Sequence, residues 1–227
     1  WSSEIGLKQG YQLGEMMGFI DIAGYISQYR DMIEFTFIPS FPPSFSAINA
    51  ENTRVWGTEI TATGRTKFNK IGLDYMIGYN LINPLNLNYD PAVDTIIPFE
   101  DHFVINSDTV ILRNPKYLKY RNRHTAKANI ALSYGKLNIG VQLRYKSFME
   151  NYDLYLMAVI VGAKEYRANN LYNGGGIFEF DANISYAITD NIQIGIFGKN
   201  LFNNEYLQFL GNMAAPRNVA LNLKAEF

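Results

Sequence analysis

Two histidines, no cysteine and a scatter of carboxylates are the raw material for chemistry in this chain. His102 stands beside Glu100 and Asp101, with Asp94 and Asp108 nearby. Imidazole and carboxylate groups suit a metal ion or a metal chelate. The spacing follows no ligand pattern, however, and an ordinary solvated loop is the simpler reading. His124, between Arg123 and Thr125, falls at the start of an alternating stretch and reads as a rim residue rather than a ligand. Gly174-Gly175-Gly176 lacks the Lys-Ser/Thr pair and flanking helix of a phosphate cradle and reads as a flexible loop base. The missing cysteines remove disulfide frameworks, thiolate zinc sites and thiol nucleophiles together. Ser, His and carboxylate never cluster in a catalytic order, so the sequence predicts neither an enzyme nor a resident cofactor. Aromatics offer binding instead. Tyr89, Phe99, Phe103, Tyr152, Tyr155, Tyr166 and Tyr172 lie in long connecting segments, where Tyr gives large contact area at low entropic cost.

The elements that must carry these groups have a period of two. Val219, Leu221, Leu223, Ala225 and Phe227 alternate with Asn218, Ala220, Asn222, Lys224 and Glu226, which makes one face apolar and the other polar. Three further stretches repeat this: Phe178 to Ile188, Leu137 to Lys146, and Ile71 to Leu81. On the polar face Glu179, Asp181, Arg144, Lys146 and Lys224 are placed to pair across neighbouring strands. Weaker alternation at 2–10, 18–37, 54–64, 123–134 and 192–203 brings the expected count to nine strands.

The connections alternate too. Those at 10–17, 64–69, 134–137 and 189–191 are short, with Gly135-Lys136 and Asp190-Asn191 as turn residues, and those at 38–53, 84–121, 150–177 and 204–216 are long. Long links of this kind are uncommon in compact soluble domains, and strict alternation puts them all at one end of the strands. Outer-membrane barrels are built this way, with tight periplasmic turns and long external loops.

Composition agrees. Hydrophobic residues make up 48% and aromatics 15%, while the charged fraction of 18% lies below the roughly 25% of soluble domains. With a net charge of −1 and Lys and Arg spread along the chain, there is no electrostatic footprint for nucleic acid. The longest apolar run, Leu154 to Val161, has eight residues, so any crossing of a bilayer must use strands. Single-chain bacterial barrels have an even strand count. Nine strands and an opening at Trp1 that reads as mid-strand therefore lead us to expect the C-terminal part of a longer polypeptide. A soluble lipocalin-like or sandwich domain is the alternative that also alternates.

Gly198-Lys199-Asn200-Leu201-Phe202-Asn203-Asn204-Glu205-Tyr206 resembles the strand-end motif V-x-N-L-F-D-K-x-Y of TonB-dependent receptors, with Asn203 and Asn204 in place of Asp and Lys. Pro216-Arg217-Asn218 and the alternating strand to Phe227 are similar to that family's terminus. Upstream, Glu4-Ile5-Gly6-Leu7-Lys8, then Gly18-Phe19-Ile20-Asp21-Ile22-Ala23-Gly24-Tyr25 and Met32-Ile33-Glu34-Phe35, resemble the E-x-G-x-K strand and the strand that follows it in the same barrels.

The resemblance implies an all-β fold, a transmembrane antiparallel β-barrel of about 22 strands whose lumen is plugged by another domain. Residues 1–227 would supply its last nine strands, without the plug. It implies an outer-membrane receptor that imports a scarce nutrient, such as an iron-siderophore, a cobalamin-like cofactor or a glycan. Its partners would be the TonB energy-transducing complex, the lipid bilayer, the nutrient ligand and, for some substrates, a surface lipoprotein. Val219, Leu221, Leu223 and Phe227 resemble the signal read by the outer-membrane assembly machinery. A passive channel or adhesin barrel is the second reading, and an outer-membrane enzyme barrel the third.

Overall fold

The computed structural model describes residues 1–38, 44–50, 52–92, 114–151, 176–209 and 212–226, and among these there is no helix. They form thirteen strands, beginning with β1 Ser2–Leu13, β2 Met16–Tyr29, β3 Met32–Ile38, β4 Ser44–Ala50, β5 Thr53–Phe68, β6 Ile71–Asn86 and β7 His124–Tyr134. The series continues with β8 Leu137–Lys146, β9 Ile177–Ala187, β10 Ile192–Lys199, β11 Leu207–Phe209, β12 Asn212–Met213 and β13 Asn218–Ala225. Nine of them make one antiparallel sheet in the order β1-β2-β5-β6-β7-β8-β9-β10-β13. The all-β antiparallel fold and the nine principal strands expected from periodicity are both present.

Directly paired residues share a face, so the register shows where the two stripes run. At mid-height Val219, Gly198, Ala182, Val141, Ile130, Tyr75, Gly64, Gly18 and Tyr11 follow one another across all nine strands. The next row toward the tight turns holds Leu221, Ile196, Ile184, Ile139, Leu132 and Leu73. Their side chains stand out from the sheet; Ile184 is 44% and Leu221 71% exposed. Among the described residues no second layer covers this face. Such a continuous apolar surface is far larger than a soluble monomer exposes, and it fits lipid.

Aromatics edge it at both ends. Phe68, Tyr134 and Tyr186 lie exposed near the tight turns, while Tyr145 packs on Phe178 at 4.7 Å, Phe180 stacks on Phe202 at 5.1 Å, and Tyr79 reaches His124 at the opposite end. Between them lies a glycine pair. The phenols of Tyr11 and Tyr75 meet in a hydrogen bond over Gly18 and Gly64, and a Cβ at Gly64 would lie 2.5 Å from both hydroxyls. Only glycine leaves the two rings flat on the sheet.

Tight turns close one end. Gly14 (φ 61), Asn69 (φ 54) and Gly135 (φ 56) take the left-handed conformation that their side chains permit. The Asp190-Asn191 turn uses no positive φ; Thr189 Oγ1 accepts from Asn191 N at 3.3 Å instead. At the other end the structure departs from the sequence reading. The stretch 18–37 is two strands, broken at Asp31 (φ 53). Within 38–53 the described residues 44–50 form β4, which among the described residues pairs with β3 alone and so extends the β2–β5 pairing outward. The stretch 192–203 ends as a strand at Lys199.

Candidate functional site

The polar face of the sheet encloses an open concavity of about 1140 Å³, lined among others by Phe19, Thr63, Met76, Asn129, Gln142 and Asp181. Its amides pair across strands, as in Gln142 Nε2 donating to Asn129 Oδ1 at 2.8 Å and Gln193 Nε2 donating to Ser185 Oγ at 2.9 Å. Toward the tight turns Arg65 pairs with Asp74. Lys8 faces Asp21 across β1 and β2, which places the charged residues of the two upstream motifs opposite each other.

The strongest polar cluster lies where the long links begin. Arg144 of β8 bonds Glu179 and, at 2.8 Å, Asp181, both of β9. Glu179 Oε2 also accepts from Tyr206 Oη at 2.6 Å, and Asp181 Oδ1 accepts from the backbone N–H of Asn200 at 2.8 Å. One guanidinium therefore orients two carboxylates, and each carboxylate holds one end of the turn that follows β10. Tyr206 is buried. Burial first, then the hydrogen bond to Glu179, hold its phenol above the ordinary value of 10.0, so it stays a donor at neutral pH.

Asn200 is the centre of that turn. It is 3% exposed and sits at φ 47, a conformation asparagine tolerates better than most residues. Its Nδ2 donates to the carbonyls of Asn204 and Ala215 at 3.0 Å, and its Oδ1 accepts from Asn204 N at 3.0 Å. Asn203 Oδ1 accepts from Arg217 N at 2.9 Å, and Leu201 N donates to Phe180 O at 2.8 Å. The Asn-Leu-Phe motif recognised in the sequence is thus a hydrogen-bonded corner.

A second hub was not legible in the sequence. Arg123 bonds Glu150 at 2.7 Å and Asn83 at 2.5 Å while its guanidinium stacks 4.3 Å over Tyr117. Leu118 N donates to Pro84 O and Tyr120 N to Asn151 O, each at 2.8 Å, so residues 116–123 run antiparallel beside the end of β6 and against 147–151. Leu118 and Met149 are buried there.

Of the residues singled out in sequence, His124 is a rim residue at the start of β7, its Nδ1 2.7 Å from Tyr79 Oη. Arg144, Glu179 and Asp181 pair across strands as expected, whereas Lys224 pairs along its own strand with Glu226 at 2.5 Å. Tyr89 lies in a turn after β6. Gly176 enters β9 at φ 74. His102, Glu100, Asp101, Asp94, Asp108, Phe99, Phe103, Tyr152, Tyr155, Tyr166, Tyr172, Gly174, Gly175 and Phe227 lie outside the described residues. Among the described residues no group of acidic or imidazole side chains has the arrangement of a metal site.

The chain is similar over all or nearly all of its length to three solved structures. They are the ferric-catecholate import receptor Fiu of E. coli K12 (16% identity, TM-score 0.60), the copper transporter OprC (14%, 0.58) and, over 99% of this chain, the siderophore receptor PiuA of Acinetobacter baumannii (13%, 0.58). At these identities the likeness is one of fold. The chain spans 27%, 31% and 28% of their respective lengths. No curated protein matches it in sequence. The family described as TonB dependent receptor-like, beta-barrel matches residues 1–201, a family of receptors and transporters rather than enzymes. With nine antiparallel strands, a lipid-suited outer face and a polar concave one, this chain belongs to the TonB-dependent receptor β-barrel family.

Proposed function

We propose that the full-length protein bearing this chain is an outer-membrane receptor for TonB-energised uptake of a scarce nutrient: an iron-siderophore, a cobalamin-like cofactor or a glycan. The family match over 1–201 carries this reading. Residues 1–227 are then the C-terminal wall of the barrel. Its remaining strands, the plug and the segment that contacts TonB belong to other parts of the polypeptide. The tight turns at Gly14, Asn69, Gly135 and Asp190 face the periplasm, and the four long links face outward, where they capture ligand, for some substrates together with a surface lipoprotein.

The terminal strand serves the assembly machinery. Val219, Leu221 and Leu223 share one face of β13, and the machinery would recognise such a strand by strand addition, main-chain hydrogen bonds giving affinity and alternate side chains giving register. Phe227 completes the signal.

Energy coupling is the part to test. In cells dependent on the full-length protein for a given nutrient, uptake should stop when TonB is deleted or the proton gradient collapsed, while surface binding of labelled nutrient persists. Uptake that continues at full rate without TonB would instead identify a passive channel.

A further inference from the structure

The strands of the large sheet come in hairpins. β1 with β2, β5 with β6, β7 with β8 and β9 with β10 are each joined by a tight turn, and a tight turn sets register by its geometry. β13 is not joined to its neighbour β10 by a tight turn. It reaches β10 through residues 200–217, a link long enough to permit several registers.

The facial pattern does not choose among them. A one-residue slip would turn Lys224 toward lipid and is excluded, because side chains alternate with a period of two. A two-residue slip keeps Val219, Leu221 and Leu223 outward and Asn218, Asn222 and Lys224 inward, and gives up only pairings at the strand ends. At the tight-turn end the observed register is held by two exposed contacts, Glu226 N to Asn191 O at 2.9 Å and Asn191 Nδ2 to Glu226 O at 3.2 Å.

The discriminating contacts are in the corner. Asn200 Nδ2 holds the carbonyl of Ala215, Tyr206 O accepts from Ala214 N at 2.8 Å, and Asn203 Oδ1 accepts from Arg217 N. These fix residues 214–217, immediately before β13, to residues 200–206, immediately after β10. Asp181 holds the Asn200 backbone in place and is itself held by Arg144. Aspartate at 200 would lack the donor, and alanine both donor and acceptor. We propose that Asn200 is the positioning residue that selects the register of the terminal strand β13 against its two-residue slips. This holds whatever the protein transports.

Crosslinking reads register directly, and this chain contributes no cysteine of its own. Directly opposed Cβ atoms lie close enough for a disulfide, whereas diagonal neighbours at about 7–8 Å do not. In the full-length protein in its membrane, stripped of any other cysteine, the pair Ile196→Cys with Leu221→Cys should crosslink. The pairs of Ile196→Cys with Val219→Cys or Leu223→Cys should not. Adding Asn200→Ala should make a slipped pair crosslink to an extent comparable with 196–221. Crosslinking confined to 196–221 in the Asn200→Ala protein would overturn the proposal. Should Asn200→Ala fail to reach the membrane, the 196–221 disulfide should restore its level and a disulfide between Ile184→Cys and Ile196→Cys should not. Equal rescue by both, or by neither, would overturn it as well.

Discussion

Val141→Arg in the full-length protein should nearly abolish its accumulation in the outer membrane, whereas Gln142→Arg, one residue along the same strand, should leave it close to normal. Val141 lies in the mid-height row of the apolar face between Ile130 and Ala182. An arginine facing lipid near the midplane of a barrel costs about 2–4 kcal/mol, or about 30- to 1000-fold in the folding equilibrium. Gln142 faces the concavity and bonds Asn129. An arginine there keeps a donor within reach of water and forfeits at most about 1 kcal/mol. Membrane fractionation and the heat-dependent shift in gel mobility measure both. Equal accumulation of the two variants would remove the lipid-facing assignment.

Arg144→Ala should be the second large loss. It leaves Glu179 and Asp181 on neighbouring positions of the same face without their shared countercharge. Removing one partner from a buried ion pair costs about 3–5 kcal/mol. Here the guanidinium side chain is 35% exposed, so water screens part of the effect and about 1–3 kcal/mol is expected. The thermal midpoint of the purified full-length protein should fall accordingly. Glu179→Gln with Asp181→Asn in the Arg144→Ala background should recover most of it, because the amide oxygens still accept from Tyr206 and Asn200 while the uncompensated charge is gone. No fall in the single variant, or no recovery in the triple, would mean that the cluster does not hold the corner.

Much of this was legible in the sequence because a strand between lipid and a wet interior has the simplest pattern a chain can show. Leu137, Ile139, Val141, Leu143 and Tyr145 must share a face once the strand forms, and the pairing of β7 with β8 puts them there. The alternating short and long links followed from the same reading. What periodicity could not show was where a regular stretch breaks. Residues 18–37 alternate through Arg30-Asp31, yet Asp31 takes a positive φ and separates β2 from β3. Residues 192–203 continue in composition past Lys199, but Asn200 turns the chain for three side-chain hydrogen bonds. The Asn-Leu-Phe motif is legible as a resemblance, while its role as a corner depends on partners distant in sequence, Asp181 and Ala215. The Arg123 hub had no signal in sequence at all, since its partners Asn83, Tyr117 and Glu150 meet only when residues 116–123 pair beside the end of β6.

Lipid on one face of an outer-membrane barrel wall and water on the other can be read residue by residue along β8. Single cysteines at 137 to 144 in the full-length protein, labelled with a small fluorophore and kept in their native membrane, would be exposed to a lipid-borne quencher. Labels at Leu137, Ile139, Val141 and Leu143 should be quenched, and those at Asn138, Gly140, Gln142 and Arg144 should be protected. Quenching without a period of two, or strongest at the polar positions, would contradict the account.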